Sequence, residues 1–241
     1  TGSCKTGSTQ LGISKAIAGV ARDSLFITTK VPGCGMQGIG RSTCAADSLA
    51  AAETNLRELN TSYVDLLLVH FPPMGGCGAL NCPVIQSQWA ALESFYAQKK
   101  AKSIGVSNFC VSCLDCLAKN ASATVPAVNQ IECHAQLAQI ELRSYCAING
   151  ILIAAYGAVG AKGLRADPAV QAIAKAHKRT PAQVSLRYSL QRGGVALTKS
   201  VTPKRIMENA QLDFELSPDE VSAMEALDSG TRSYWDNSGV P

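Results

Sequence analysis

The sequence has few charged residues and no long apolar run, and these two absences exclude several classes of protein. Charged residues make up 17% of the chain and hydrophobic residues 46%, so the chain can fill a sizeable core and does not belong to the disordered class. Its longest nearly apolar stretch, Ile151 to Ala161, is shorter than the roughly 20 residues that cross a bilayer. We therefore expect a globular domain without membrane insertion.

Heptads and basic blocks are missing as well. No apolar heptad runs long enough for a coiled coil. The net charge of +4 is spread over the 241 residues without a Lys/Arg block, so nothing indicates a nucleic acid or an anionic membrane as partner. The chain opens on Thr1 with neither an initiating Met nor a signal peptide. We expect either a preceding segment outside this sequence or a product that begins in mid-fold.

Ten cysteines are the unusual feature of the composition. A chain of this size with this core does not need disulfides for stability, so we predict thiols and a reducing intracellular compartment, either the cytoplasm or an organelle. The run Cys110-Val-Ser-Cys113-Leu-Asp-Cys116 has metal-site spacing, but no partner motif supplies a fourth ligand. We therefore predict a short helix with three thiols there, and no metal.

Short runs rich in Val, Ile and Leu alternate with longer amphipathic segments, which predicts strands buried on both faces of a parallel sheet. Each gap between runs holds a helix, and Asp167, Thr180 and Ser217 stand before prolines as helix N-caps. The predicted strands are Leu25–Lys30, Tyr63–His70, Lys102–Val106, Ala127–Ile131, Ile151–Ala155 and Gly194–Thr198. This βα array predicts an α/β fold, either doubly wound or a (β/α)₈ TIM barrel, as one domain over residues 1–241.

Polar residues mark the ends of these strands, whereas the Gly-x-Gly-x-x-Gly motif of Rossmann folds does not follow the first strand. In a barrel, all strand ends point to the face where active sites form. Six such ends in succession predict a functional site built from Lys30, His70, Ser107-Asn108, Asn129-Gln130, Tyr156 and Lys199-Ser200.

At these positions the sequence resembles the aldo-keto reductase family. The resemblance covers nearly the whole chain from about Gln10 onward, in the family's order of motifs. The motifs are Phe26-Ile-Thr-Thr-Lys30, Asp65-Leu-Leu-Leu-Val-His70-Phe-Pro72, Ser103-Ile-Gly-Val-Ser-Asn-Phe109, Val128-Asn-Gln-Ile-Glu-Cys-His134, Ala182-Gln-Val-Ser-Leu-Arg187 and Thr198-Lys-Ser-Val-Thr-Pro-Lys-Arg-Ile-Met-Glu-Asn209. It implies a (β/α)₈ barrel, seen here without its first two strands, that binds NADPH and reduces aldehydes and ketones to alcohols.

The resemblance also assigns cofactor contacts, residue by residue. The nicotinamide carboxamide would be bound by Ser107, Asn108 and Gln130, and its ring would stack on Tyr156. The adenosine 2′-phosphate would be held by Lys199, Ser200, Thr202 and Arg205, with the adenine near Glu208 and Asn209. Arg, Lys and a helix N-terminus suit such a phosphate. The family's Tyr-Ser-Pro-Leu-Gly stretch reads Tyr156-Gly-Ala-Val-Gly160 here, so a hydroxyl and a proline are lost.

Four groups catalyse in the family, and two of them are matched here, by Lys30 and His70. Counting back from Leu11-Gly12 places Lys5 where the family has its proton-donating tyrosine, and the chain starts one residue after the expected aspartate. Because a positioned acid contributes roughly 10²–10⁴-fold in rate, this loss predicts impaired activity unless Lys5 or another group substitutes.

Two function hypotheses remain open. The first is an NADPH-dependent reductase of small carbonyl substrates, in which His70 orients the carbonyl and Lys30 tunes the acid. The second is a non-catalytic subunit that binds a protein partner across the open N-terminal barrel edge. Two Gly- and Cys-rich loops, Val31–Thr43 and Pro73–Pro83, are expected over the active-site mouth, and a Cys34–Cys44 or Cys77–Cys82 bridge in them is left open.

Overall fold

The structure, a computed structural model, describes residues 9–119, 124–160 and 162–234. Helices and strands alternate along this part of the chain. The strands are β1 Thr28–Val31, β2 Leu66–Val69, β3 Ile104–Ser107, β4 Val128–Glu132, β5 Leu152–Tyr156 and β6 Val195–Ala196. The helices are α1 Thr9–Ala16, α2 Cys44–Leu59, α3 Cys82–Ala97, α4 Val111–Ala118, α5 Ile140–Ile148, α6 Lys162–Ala166, α7 Pro168–Ala176, α8 Pro181–Gln191, α9 Pro203–Ala210 and α10 Pro218–Glu225.

The six strands follow chain order in the sheet, β1-β2-β3-β4-β5-β6. Residue pairs such as Lys30 with Leu68 and Leu68 with Gly105 align β1, β2 and β3 in parallel, and Ala155 with Ala196 aligns β5 and β6 in the same sense. Each predicted strand overlaps an observed one, so the α/β prediction with a parallel sheet is confirmed. The chain divides into two compact units, and the prediction of one domain stays a prediction.

Within the described part of the chain, unit 1 comprises residues 9–119, 124–129 and 149–151. All four side chains of β2 are buried, as expected for a strand covered on both faces. Asn60 caps the end of helix α2 with a left-handed backbone (φ 51°), and its N–H donates to the carbonyls of Arg57 and Leu56. In α3, Trp89 is buried and its indole N–H donates to the Thr124 carbonyl at 2.9 Å.

Three disulfides join the loops and helices of unit 1. They are Cys34–Cys44, Cys77–Cys113 and Cys82–Cys116. The helix predicted around Cys113 is confirmed as α4, but the thiols predicted in it at Cys113 and Cys116 are wrong. Their partners lie more than 30 residues earlier in the chain, so local sequence pattern carried no sign of these pairings. Of the two bridges left open, Cys34–Cys44 is present, whereas Cys77 and Cys82 each bond to α4.

Among the residues that the structure describes, unit 2 comprises 130–148, 152–160 and 162–234. The predicted helix starts are confirmed, because Asp167 caps α7 with its carboxylate and Thr180 and Ser217 form capping boxes at α8 and α10. Apolar residues of α7, α8 and α10, among them Val170 and Met224, pack into one buried cluster. Among the helices of the described residues, none has the length and apolar composition that crossing a membrane requires.

Candidate functional site

Lys30 and His70 lie at the carboxyl ends of the paired strands β1 and β2. Lys30 is the third residue of β1, and its carbonyl accepts a hydrogen bond from Asn55 Nδ2 at 2.9 Å. His70 follows β2 directly, and its backbone N–H donates to the Val31 carbonyl at 2.8 Å, which continues the ladder by one residue. The pairing of the two strands therefore brings both predicted catalytic side chains to one edge of unit 1.

The protonation of this pair is shifted toward the neutral forms. Burial lowers the pKa of Lys30 from its ordinary value of 10.5. Burial, and then the positive charge of Lys30, lower the pKa of His70 from 6.5 to about 4. The His70 ring also stacks on Phe71, with centroids 4.5 Å apart. At neutral pH His70 is thus an uncharged, oriented imidazole with one N–H to donate.

Ser107 and Asn108 stand beside His70 in unit 1. Ser107 is the last residue of β3, and both side chains are buried. Asn108 takes a left-handed backbone (φ 61°), which Asn tolerates better than most residues. Its Nδ2 donates to the His70 carbonyl at 3.0 Å and lies 3.2 Å from Ser107 Oγ. Four of the predicted site residues are therefore gathered at the carboxyl ends of β1, β2 and β3.

Tyr156 and Gln130 belong to unit 2. Gln130 is buried in β4, and Tyr156 is the last residue of β5. The Tyr156 ring meets the Tyr234 ring edge-on at 6.3 Å. Burial, and then the negative charge of Glu132, raise the pKa of the Tyr156 hydroxyl, so it stays protonated at physiological pH.

A cleft of about 570 Å³ opens in unit 2 between the segment after β6 and the starts of α8 and α9. Its lining includes five of the residues predicted to hold the adenosine end of NADPH. These are Lys199, Ser200, Arg205, Glu208 and Asn209. Two hydrogen bonds hold residues of this lining in place. Asn209 Nδ2 donates to Thr198 Oγ1 at 3.2 Å, and Gln183 Nε2 donates to the Glu208 carbonyl at 2.9 Å.

Thr202 is the predicted phosphate contact that does not line this cleft. It is the N-cap residue of α9, and Pro203 follows at the first helical position, as predicted. The Thr202 N–H donates to Ser200 Oγ at 3.1 Å. Thr202 therefore shapes the loop that carries Ser200.

Arg165 and Tyr234 line the same cleft and were missed by sequence reasoning. Arg165 Nη1 donates to the Gly160 carbonyl at 2.8 Å and so holds the turn after β5. Both residues lie outside the motifs that follow the strands. The only sequence signal for them is their residue type, a basic side chain and an aromatic residue near the C-terminus. The Lys5 hypothesis falls in residues 1–8, outside the described part of the chain.

Glycine stands at position 157, where the resemblance described above implies a serine, and the structure gives a reason for this difference. Gly157 adopts φ +68°, and a Cβ there would lie 2.6 Å from Cε2 of Tyr234. A serine at this position would meet both an unfavourable backbone and the tyrosine ring. The glycine at position 157 therefore leaves the space that the Tyr234 ring occupies at the cleft.

Comparisons with known proteins identify the family of this chain. Residues 5–229 match the sequence model of the Aldo/keto reductase family. An aldo-keto reductase of Mycolicibacterium vanbaalenii is 41% identical over 226 residues, covering 92% of this chain and 76% of that protein. The glyoxal reductase of Bacillus subtilis is 39% identical over 223 residues, covering 92% and 75%.

Two solved structures of aldo-keto reductases share the fold. An enzyme from a Medee basin deep-sea metagenome library superposes with a TM-score of 0.85 at 30% identity, covering 97% of this chain and 83% of that one. Another, solved in complex with NADPH, gives 0.80 at 30% identity, covering 92% and 72%. The chain therefore belongs to the aldo/keto reductase family of oxidoreductases.

Proposed function

We propose that this chain reduces small aldehydes and ketones with NADPH. The observation that carries the proposal is the cationic cleft of unit 2, where three basic side chains, Arg165, Lys199 and Arg205, line one cavity beside Ser200 and Asn209. A relative of this chain is named as a glyoxal reductase and another was solved with NADPH. Small dicarbonyls and aldehydes are therefore the substrate class to test first.

The chemistry of the cleft fits the adenosine 2′-phosphate of NADPH. A phosphate needs cations and hydrogen-bond donors in an accessible place, and Lys199 and Arg205 are exposed. Within the described residues neither of them forms an ion pair with a carboxylate, whereas the neighbouring Lys204 pairs with Glu208 at 3.8 Å. In this proposal Lys199, Ser200 and Arg205 bind the phosphate, and Asn209 and Glu208 lie against the adenine.

Unit 1 supplies the groups that act on the carbonyl. When bound, NADPH would supply a hydride for the carbonyl carbon, and solvent water would supply the proton that converts the resulting alkoxide into the alcohol. The neutral His70 donates its ring N–H to the carbonyl oxygen and so orients it, and stacking on Phe71 holds the ring in place. The positive charge of Lys30 at the same edge stabilises the negative charge that develops on that oxygen. Ser107 and Asn108 are proposed to bind the nicotinamide carboxamide. In unit 2, Gln130 is proposed as a carboxamide contact and Tyr156 as the residue that stacks on the nicotinamide ring.

A second candidate is a cofactor-binding protein without turnover, and the place of Tyr63 bears on whether the described residues hold a proton donor. Tyr63 is the first tyrosine of the sequence, yet it precedes β2, whereas His70 follows that strand. Four residues of strand, about 13 Å, separate the two ends. Its ring is moreover covered by cations, with Arg22 at 4.0 Å and Lys102 at 4.5 Å. Tyr63 is thus unsuited to donate a proton beside His70.

The compartment stays a prediction. Disulfides form and persist in oxidising surroundings. The three disulfides of unit 1 therefore remove the reason for which the cysteines favoured a reducing compartment.

An NADPH titration followed by a turnover assay tests both candidates. We expect saturable NADPH binding, weaker binding of NADH, and a Kd raised about 10- to 100-fold in Arg205→Ala, because a charge-assisted hydrogen bond contributes about 1.5–3 kcal/mol. Lys204→Ala is the matched control. It removes the same charge one residue away, from a side chain that is 84% exposed and does not line the cleft.

Turnover separates the two functions. NADPH oxidation in the presence of glyoxal, lost in His70→Gln, supports the reductase. Tight binding without turnover on a panel of small aldehydes supports the cofactor-binding protein. If folded protein binds no NADPH, or if Lys204→Ala weakens binding as much as Arg205→Ala does, the cleft assignment is wrong and both candidates fall.

A further inference from the structure

Three sulfur atoms of unit 1 lie together beside the loop that follows His70. The Sγ atoms of Cys77, Cys110 and Cys113 are all within 4.8 Å of one another. Cys77 and Cys113 form a disulfide, and Cys110 is free, with its Sγ 3.5 Å from that of Cys113. A free thiol in van der Waals contact with a disulfide sulfur is the starting geometry of thiol–disulfide exchange.

The local backbone holds Cys110 and Cys113 in this position. Cys110 is the N-cap residue of α4, and its carbonyl accepts from the backbone N–H groups of Cys113 and Leu114 at 3.1 and 3.0 Å. The first helical turn therefore fixes the Cys-x-x-Cys pair, a spacing shared with thiol–disulfide oxidoreductases. Ser112 Oγ lies 3.0 Å from Cys110 Sγ, where a hydroxyl can donate a hydrogen bond to a thiolate.

We propose that Cys77, Cys110 and Cys113 form a thiol–disulfide exchange site that reacts with low-molecular-weight thiols and disulfides of the glutathione class. In the internal step, the Cys110 thiolate attacks Cys113 Sγ. The Cys110–Cys113 bond forms, the Cys77–Cys113 bond breaks, and Cys77 leaves as a thiolate that takes up the proton lost by Cys110. One disulfide and one thiol are present before and after, so the step needs no oxidant or reductant.

Burial decides which sulfur is attacked. Cys113 is fully buried, whereas Cys77 and Cys110 are half-buried. Attack on Cys113 releases Cys77, whose thiolate can reach water, while attack on Cys77 would release a thiolate inside the core, which desolvation disfavours. The exchange therefore moves the accessible thiol between Cys110 and Cys77. From Cys77, attack on an external disulfide RSSR gives the mixed disulfide Cys77–SR and a thiol RSH.

The exchange changes how the loop after His70 is attached. Cys77 bonds this loop to α4 and lies seven positions after His70 in the sequence. When the bond moves to Cys110, the loop loses that covalent link, while Cys82–Cys116 still joins the start of α3 to α4.

The same three sulfurs have metal-like spacing, but we favour exchange over a metal. Two of the three sulfurs are already bonded to each other, and the cluster in the described residues holds three ligands. A structural zinc site takes four.

Alkylation with N-ethylmaleimide followed by peptide mapping without reduction tests the exchange directly. We expect two forms of this cluster in the labelled native protein. One carries the label on Cys110 with Cys77–Cys113 intact, and the other carries it on Cys77 with a Cys110–Cys113 disulfide. In Cys110→Ser the label on Cys77 should fall about tenfold or more, because the internal nucleophile is gone. Cys146→Ser, which removes a buried thiol of unit 2, is the matched control and should change neither form.

A second variant guards against a misfolded first one. In Cys77→Ser, Cys113 loses its partner, and we expect a Cys110–Cys113 disulfide and no label on Cys110 after air oxidation. Incubation with oxidised glutathione should add one glutathione to Cys77 of the unaltered protein. The proposal is overturned if label appears on Cys110 alone under all conditions, if Cys110 and Cys113 both remain thiols in Cys77→Ser, or if glutathione does not reach Cys77. Each readout is independent of NADPH binding and of turnover.

Discussion

The charge state of His70 gives the sharpest test of the reasoning about unit 1. Burial and the positive charge of Lys30 lower the pKa of His70 from 6.5 to about 4, which corresponds to about 3 kcal/mol in favour of the neutral ring. Lys30→Met removes the ammonium but keeps most of the apolar stem. Because burial is the larger cause, we expect this variant to raise the pKa of His70 by about one unit or less, and not to restore the ordinary value.

Titration of the imidazole protons by NMR measures this pKa. The sequence holds three histidines, so Gln substitutions at His70 and His177 assign the signals. A His70 signal that titrates near 6.5 in the unaltered protein would refute the buried, cation-flanked environment. A titration unchanged in Lys30→Met would refute the electrostatic contact between the two side chains while leaving the effect of burial in place.

The same shift predicts how stability depends on pH. Between the two pKa values the unfolded chain binds a proton at His70 that the folded chain does not, so the free energy of unfolding falls as the pH falls through this window. Above about pH 6.5 the protonation of His70 does not reduce the free energy of unfolding. By about pH 5 it has lowered that free energy by about 2 kcal/mol. Urea unfolding at the two pH values, with His70→Gln as the comparison, isolates it. A decline equally steep in His70→Gln would assign the loss to other groups.

Two further predictions concern the surroundings of the site. Asp65→Ala should lower the free energy of unfolding by about 3 kcal/mol, because it leaves two cationic partners of a nearly buried carboxylate unpaired. Asp213→Ala, which removes an exposed ion pair, should lower it by less than about 1 kcal/mol. Urea unfolding compares them, and equal losses would contradict the burial argument. Gly157→Ala should displace the Tyr234 ring and weaken NADPH binding, while Gly163→Ala, with open space around it, should leave binding unchanged. NADPH titration of both variants checks this, and equal affinities would contradict a role for that ring.

Many parts of the fold could be predicted from the sequence because they depend on neighbours in the chain. Runs of Val, Ile and Leu predicted strands such as β2, and caps before proline predicted the start of α7 at Asp167, since a capping side chain reaches backbone only two or three residues away. The strand-end position of His70 followed from the same pattern.

What the sequence determined by itself was therefore the alternation of strands and helices and the polar residues that follow the strands. Only the tertiary structure decided the pairing of Cys77 with Cys113, the place of Arg165 in the cleft and the contact of Gly157 with Tyr234. Each of these joins residues that are distant in the chain or outside any local pattern. Their proximity follows from how strands and helices pack. The residues that neighbour each of them in the sequence therefore give no indication of the contact.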